Sequence, residues 1–170
     1  VEQKKSLDFI RNAGSNYVVK VLEGVTGSGK TLVYFKRIKD FIDKNQQALI
    51  LLPEIALTNQ FSKRFKEFFG ALPAVWHSGT SKKNKSIIWK GIVEGNVKIV
   101  IGARSSLFLP FKNLGTIIVD EEHDASYKQD EGVSYNARDM AIARASLENI
   151  SINLVTSIPS VETYNNIINK

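Results

Sequence analysis

Gly24-Val25-Thr26-Gly27-Ser28-Gly29-Lys30-Thr31 has the spacing G-x-x-x-x-G-K-[ST] of a phosphate-binding loop. Glycines let the backbone curl until successive N–H groups point inward at phosphate oxygens. A helix starting near Lys30 adds the positive end of its dipole. Lys30 can reach the β- and γ-phosphates of a nucleotide such as ATP, and the Thr31 hydroxyl can ligate Mg²⁺. Far along the chain, Asp120 follows the apolar run Ile117-Ile118-Val119. That places its carboxylate at the edge of a buried strand, where it can hold Mg²⁺ opposite Thr31. Glu121 comes next and can polarise an attacking water. Lys30, Thr31, Asp120 and Glu121 are thus a nearly complete catalytic set for moving a phosphoryl group to water. That reaction asks the protein mainly for positioning and charge compensation. The set lacks an arginine to neutralise the terminal phosphate; Arg104 is the one strand-end arginine placed to face the loop.

Elements that can position these groups follow from hydrophobic spacing. A short amphipathic helix spans Gln3 to Ala13, and Gly14-Ser15-Asn16 ends it. Tyr17 to Leu22 reads as a buried strand leading into the loop, and a helix from Leu32 to Ile42 leaves it. Gln47 to Leu52 is a second strand, stopped by Pro53; a helix runs from Ile55 to Phe69. Ala74-Val75-Trp76 forms a short strand leading to His77-Ser78-Gly79, and Lys82 to Val93 a helix. Val97 to Ile101 delivers Gly102-Ala103-Arg104-Ser105-Ser106, and Gly115 to Val119 delivers Asp120-Glu121-Glu122-His123. An irregular polar stretch follows to Tyr135, then a helix from Ala137 to Leu147, a strand from Ile152 to Val155 and a short terminal helix. Strands apolar on both faces alternate with helices. The fold class is therefore α/β, a mostly parallel sheet covered by helices on both faces and carrying a P-loop. Ligands bind such sheets at the carboxyl ends of the strands.

Composition sets outer limits. The 170 residues suit one domain; 43% are hydrophobic, 24% charged and none is cysteine. A disulfide framework and a thiolate metal site are thereby excluded within these residues. No apolar run is long enough for a bilayer-spanning helix, so no membrane partner is expected. The net charge of +6 suits a polyanionic partner. Lys36-Arg37-Lys39, Lys63-Arg64-Lys66 and Lys82-Lys83-Lys85 read as solvated helix faces rather than a nucleic-acid stripe.

Asp120-Glu121-Glu122-His123 resembles the DExH box of superfamily 2 helicases. More narrowly, the chain resembles the first RecA-like motor domain of the primosomal replication-restart DNA helicases. The likeness rests on the phosphate loop, Leu52-Pro53-Glu54-Ile55-Ala56-Leu57-Thr58, His77-Ser78-Gly79 and Arg104-Ser105-Ser106-Leu107-Phe108. Its most specific parts are Asp124-Ala125-Ser126-Tyr127-Lys128-Gln129 and Tyr135-Asn136-Ala137-Arg138-Asp139. The resemblance implies ATP and Mg²⁺ as cofactors, held by Gly24 to Thr31 and Asp120, with Gln3 reading adenine and Glu121 as the catalytic base. It implies contacts to single-stranded DNA from Pro53, Glu54, Thr58, Arg104, Ser105, Tyr127, Lys128, Tyr135 and Arg138. It assigns coupling of hydrolysis to DNA contact to His123 and to the motif ending the last strand. That motif usually reads Ser-Ala-Thr-Pro-Ser; here it is Thr156-Ser157-Ile158-Pro159-Ser160. Ile158 replaces a hydroxyl, and Thr156 and Ser157 are the neighbours able to substitute.

The resemblance also implies forked DNA, primosome proteins and single-stranded DNA-binding protein as partners, and a bacterial cytoplasmic setting. It further implies that residues 1–170 are a fragment, with a second motor half and a zinc-binding region elsewhere. Such a fragment is expected to be a monomer with little activity alone. The rival readings are another superfamily 2 translocase, a different P-loop enzyme, and a nucleic-acid-binding module with a vestigial nucleotide site. A nucleoside kinase needs a lid with arginines and a small GTPase needs Asn-Lys-x-Asp; neither is found in the sequence.

Overall fold

The computed structural model describes residues 2–12, 16–53, 56 and 58–169. Helix α1 (Glu2–Asn12) precedes strand β1 (Val18–Glu23); the phosphate loop then opens helix α2 (Lys30–Ile42). Strand β2 (Gln47–Leu51), helix α3 (Asn59–Phe69), strand β3 (Ala74–Trp76), helix α4 (Lys82–Glu94) and strand β4 (Ile99–Gly102) follow. A 3₁₀ turn at Arg104–Phe108 leads to strand β5 (Leu114–Asp120). A second 3₁₀ turn at Ala125–Tyr127 leads to a two-stranded antiparallel hairpin, β6 (Lys128–Gln129) with β7 (Tyr135–Asn136). Helix α5 (Ala137–Leu147), strand β8 (Ser151–Thr156) and helix α6 (Val161–Ile168) complete the order.

The six-stranded sheet runs β1-β8-β5-β2-β4-β3, and every pairing in it is parallel. The order agrees with the doubly covered parallel sheet read from the sequence. Alternation along the strands divides the core in two. Leu49, Leu51, Ile117, Val119, Ile152 and Leu154 pack one face against α5 and Ile92 of α4. Ala48, Ile50, Ile118 and Val155 pack the other against α1, α2 and α3. On that second face Phe35 is the hub of an aromatic cluster, with the rings of Phe61, Phe65, Phe68 and Phe69 at 5.2–5.7 Å from its own. This cluster fixes α3 against α2.

The boundaries that moved did so for local reasons. Helix α3 starts at Asn59 because Thr58 is its N-cap, its hydroxyl accepting from Phe61 N at 3.2 Å. Glu54, Ile55 and Leu57 lie outside the described residues, as does Ala13. The stretch from Asp124 to Tyr135 contains the second 3₁₀ turn and ends in the hairpin rather than being wholly irregular. Gly70 and Gly95 end α3 and α4 in the left-handed region, which only glycine enters without strain.

Candidate nucleotide site

The parallel sheet gathers β1, β8 and β5 side by side, so the loops at their carboxyl ends meet. The phosphate loop follows β1. Gly27 and Gly29 hold φ of 83° and 88°, which curls the backbone as the motif requires. A Cβ at Gly24 would lie 2.8 Å from Ser28 Oγ, so the turn closes only without a side chain there. Val25 accepts from Ser28 N at 3.1 Å with its side chain exposed. Gln3 reaches the same loop: its Nε2 donates to Ser28 O at 3.0 Å, and a Cβ on Gly29 would collide with it. Lys30 opens α2 and donates to Gly24 O at 2.5 Å and Val25 O at 3.4 Å. Its ammonium thus crosses the mouth of the loop, where a polyphosphate can take over from the two carbonyls.

The acidic motif begins where β5 ends. Asp120 Oδ2 accepts from Tyr34 Oη at 2.8 Å, and Oδ1 accepts from Glu121 N at 3.1 Å. Burial pushes the Asp120 carboxyl up to about 6; the neighbouring Glu121 charge adds to this, and the Tyr34 bond opposes it. Glu121 has a φ of 48°, unusual for a residue with a side chain. The sharp turn sends three consecutive carboxylates to two places. Asp120 and Glu121 line one cavity of about 590 Å³ with Thr26, Gly27, Lys30 and Thr31. Glu122 goes into the interior, 2% exposed. There it accepts from Ser160 N, Ser160 Oγ, Thr163 Oγ1 and Arg138 Nη1 at 2.8–3.2 Å.

The end of β8 lies between the two loops. Thr156 O accepts from Gly24 N at 3.1 Å, and Thr156 Oγ1 lies 2.8 Å from His123 Nδ1. Ser157 Oγ donates to Glu121 Oε2 at 3.3 Å. Ile158 points outward, 72% exposed. Its side chain therefore has no place in the contact between this strand end and the acidic motif. Thr156 and Ser157 supply the two hydroxyls there.

The residues fit Mg²⁺-nucleotide. Mg²⁺ keeps waters and takes one or two carboxylates plus substrate phosphates rather than a full protein cage. Among the described residues no group of three or more His, Cys, Asp and Glu converges on one point. Asp120 and Thr31 across one cavity are the kind of donor set that shares a cation with a phosphate.

The DNA-side expectations fare unevenly. Tyr127 is 1% exposed, and its hydroxyl donates to Leu51 O at 3.0 Å and Asp120 O at 2.6 Å. It cannot stack on a base; it pins the loop onto the sheet. Arg138 is buried and held by Glu122, Asp139 and Ser160, so it offers no cation to a phosphate. Pro53 is buried too. Glu54 lies outside the described residues. Thr58, Ser105 and Lys128 are exposed, and Tyr135 is half-buried. Tyr135 pairs edge-to-face with the exposed Phe108, ring centroids 5.7 Å apart, an aromatic pair not apparent in the sequence. Arg104 donates from Nη1 to Lys128 O at 2.5 Å and lies away from the phosphate loop. The arginine lining the loop's cavity is Arg64, on α3. Sequence reading placed Arg64 on a solvated face; the phenylalanines around it carry the only hint that α3 packs beside the loop. Tyr34, one helical turn after Lys30, carries no signal in the sequence of its bond to Asp120.

Comparison with known proteins agrees with this geometry. The family model described as DEAD/DEAH box helicase matches residues 2–160. The chain is 52% identical over 166 residues to a replication restart protein PriA of Rickettsia conorii, covering 98% of this chain and 25% of that protein. The PriA of Bacillus subtilis is 44% identical over 165 residues, with 96% and 20% covered. The chain thus spans about a quarter or less of the length of these curated relatives. A structure of RecG bound to a three-way DNA junction superposes with a TM-score of 0.70 at 25% identity, over 95% of this chain and 21% of that one. The helicase domain of Pyrococcus furiosus Hef gives 0.69 at 18% identity, over 99% and 35%. With the phosphate loop and the Asp-Glu-Glu-His turn brought together inside the matched span, the chain belongs to the DEAD/DEAH box helicase family.

Proposed function

We propose that this chain is the ATP-binding motor half of a DNA helicase that restarts stalled replication forks, coupling ATP hydrolysis to movement along single-stranded DNA. The observation that carries the reading is the convergence of Lys30, Thr31, Asp120 and Glu121 on one cavity at the carboxyl ends of the strands. The replication restart relatives support the process, and the likeness to DNA-bound RecG supports DNA as the substrate.

In this reading Lys30 compensates charge on the phosphates and Thr31 and Asp120 hold Mg²⁺. Bound Mg²⁺ would neutralise charge on the phosphate oxygens. Glu121, held by Ser157, orients a water and takes its proton. Gln3 stands at the base end of the loop. His123, bonded to Thr156, links this centre to the end of β8. Thr58, the 3₁₀ turn with Ser105 and Phe108, and the hairpin with Lys128 and Tyr135 would contact DNA backbone and bases without reading sequence. Forked DNA, primosome proteins and single-stranded DNA-binding protein are proposed partners. A second motor half, a zinc-binding region, a bacterial cytoplasmic setting and a monomeric, weakly active domain belong to the same proposal.

ATP turnover with and without single-stranded DNA tests it, comparing the 170-residue chain with the longer protein of a relative's length. DNA-stimulated turnover in the longer protein, lost in Glu121→Gln, is expected. DNA binding with no turnover in either would favour a vestigial nucleotide site.

A further inference from the structure

We propose that Arg64 is a nucleotide-binding residue that contacts the terminal phosphate from the α3 wall of the cavity; this rests on reading the loop as a nucleotide site. The helix period sets the geometry. Residues 64, 67 and 68 share one flank of α3, while Phe65 faces the interior and packs on Phe35. With α3 fixed to α2 by the aromatic cluster, that flank forms a wall of the cavity, and Arg64, Glu67 and Phe68 line it opposite Lys30, Asp120 and Glu121.

Two further observations single out Arg64. It is exposed, and among the described residues it makes no hydrogen bond or ion pair. Arg11, Arg138 and Arg144, by contrast, are paired with Asp40, Glu122 and Glu148, and Arg104 is spent on a backbone carbonyl. A guanidinium left unpaired beside two ionisable acids and a lysine is available for a ligand, and its planar fork matches two phosphate oxygens.

The end of the nucleotide that Arg64 meets follows from what shares the cavity with it. Asp120 and Glu121, the groups placed for metal and water, line it. Gln3, bonded to the outer side of the loop at Ser28, does not. The α3 wall therefore stands at the terminal-phosphate end. Glu67 on the same wall leaves its net charge near zero, so binding there depends on directed hydrogen bonds rather than on bulk attraction.

Calorimetry on the 170-residue chain separates the outcomes, with Mg²⁺ and either ADP or a non-hydrolysable triphosphate analogue. Circular dichroism confirms that each variant is folded. Arg64→Ala is expected to weaken the triphosphate by about tenfold, the effect of losing a charge-assisted hydrogen bond, and to leave ADP unchanged. Arg64→Lys should recover part of the loss. Equal weakening of both nucleotides, or of neither, overturns the proposal. If Lys30→Ala then still abolishes binding, the loop assignment stands without Arg64. A wild-type chain that binds neither nucleotide overturns both.

Discussion

His123 Nδ1 and Thr156 Oγ1 lie 2.8 Å apart, a bond between the acidic motif and the last strand of the sheet. The single hydroxyl hydrogen of Thr156 is directed to Ile158 O at 2.6 Å. The Thr156 oxygen therefore accepts from His123, and the imidazole carries its hydrogen on Nδ1.

Thr156→Val is expected to release the ring. Nitrogen NMR of the variant should show the Nδ1–H tautomer losing its dominance, and stability should fall by about 1 kcal/mol, the net value of a hydrogen bond. Ile158→Thr, whose side chain lies in solvent, should change neither the tautomer nor the stability. An altered ring signal in Ile158→Thr alone would place the coupling hydroxyl at residue 158 after all.

Lys30→Ala should abolish nucleotide binding, because the ammonium that crosses the mouth of the loop is removed. Glu121→Gln should leave binding intact and, in the longer protein, reduce turnover by a factor on the order of 10²–10⁴, the usual contribution of a positioned base. Binding is checked by calorimetry and turnover by phosphate release. A Glu121→Gln enzyme at parental rate would assign the base elsewhere.

Glu122→Ala should be the most destabilising of the acidic-motif substitutions. It strips four donors of their acceptor and removes one of the carboxylates around the buried Arg138, which keeps Asp139 and Glu162, a loss of about 3 kcal/mol. Urea unfolding measures it. Pairing it with Arg138→Met should restore part of the stability, since the less compensated charge is then gone too.

Lys20 gives a pH dependence. It is buried on β1, and its Nζ donates to Ile10 O at 2.6 Å. Burial, helped by the nearby Arg37 charge, lowers its pKa to about 8 from 10.5. The folded state therefore binds this proton less tightly than the unfolded chain. The group's contribution is smallest below pH 8 and rises with pH up to about 10.5. Lys20→Met should be more stable than the parent at pH 7, with the gap closing as pH rises through that window. Melting curves at pH 7, 9 and 10.5 read it directly; a constant gap would show that charge burial is not the cause.

The sheet and the nucleotide loop were legible because their signals are local. The phosphate loop is contiguous, and strands apolar on both faces need no knowledge of their neighbours. Asp120 and Glu121 were placed by the apolar run before them. Tyr127 and Arg138 were misjudged because a loop tyrosine and a helix-start arginine look solvent-facing until a long-range partner is known. For Tyr127 those partners are Leu51 O and Asp120 O; for Arg138 the chief one is Glu122. Arg64 was missed for the converse reason. Its basic neighbours suggest solvent, and only the tertiary packing of α3 on α2 brings it to the loop.

Strand order has one more consequence. Because β8 lies between β1 and β5, Thr156 holds the phosphate loop by its carbonyl and the acidic motif by its hydroxyl. β8 is buried along its whole length and hydrogen-bonded on both edges, so it cannot slide. Ser157 adds a second tie from the same strand end to Glu121. A shift of the phosphate loop therefore reaches the acidic motif through the end of β8, and the site behaves as one linkage rather than as two independent jaws.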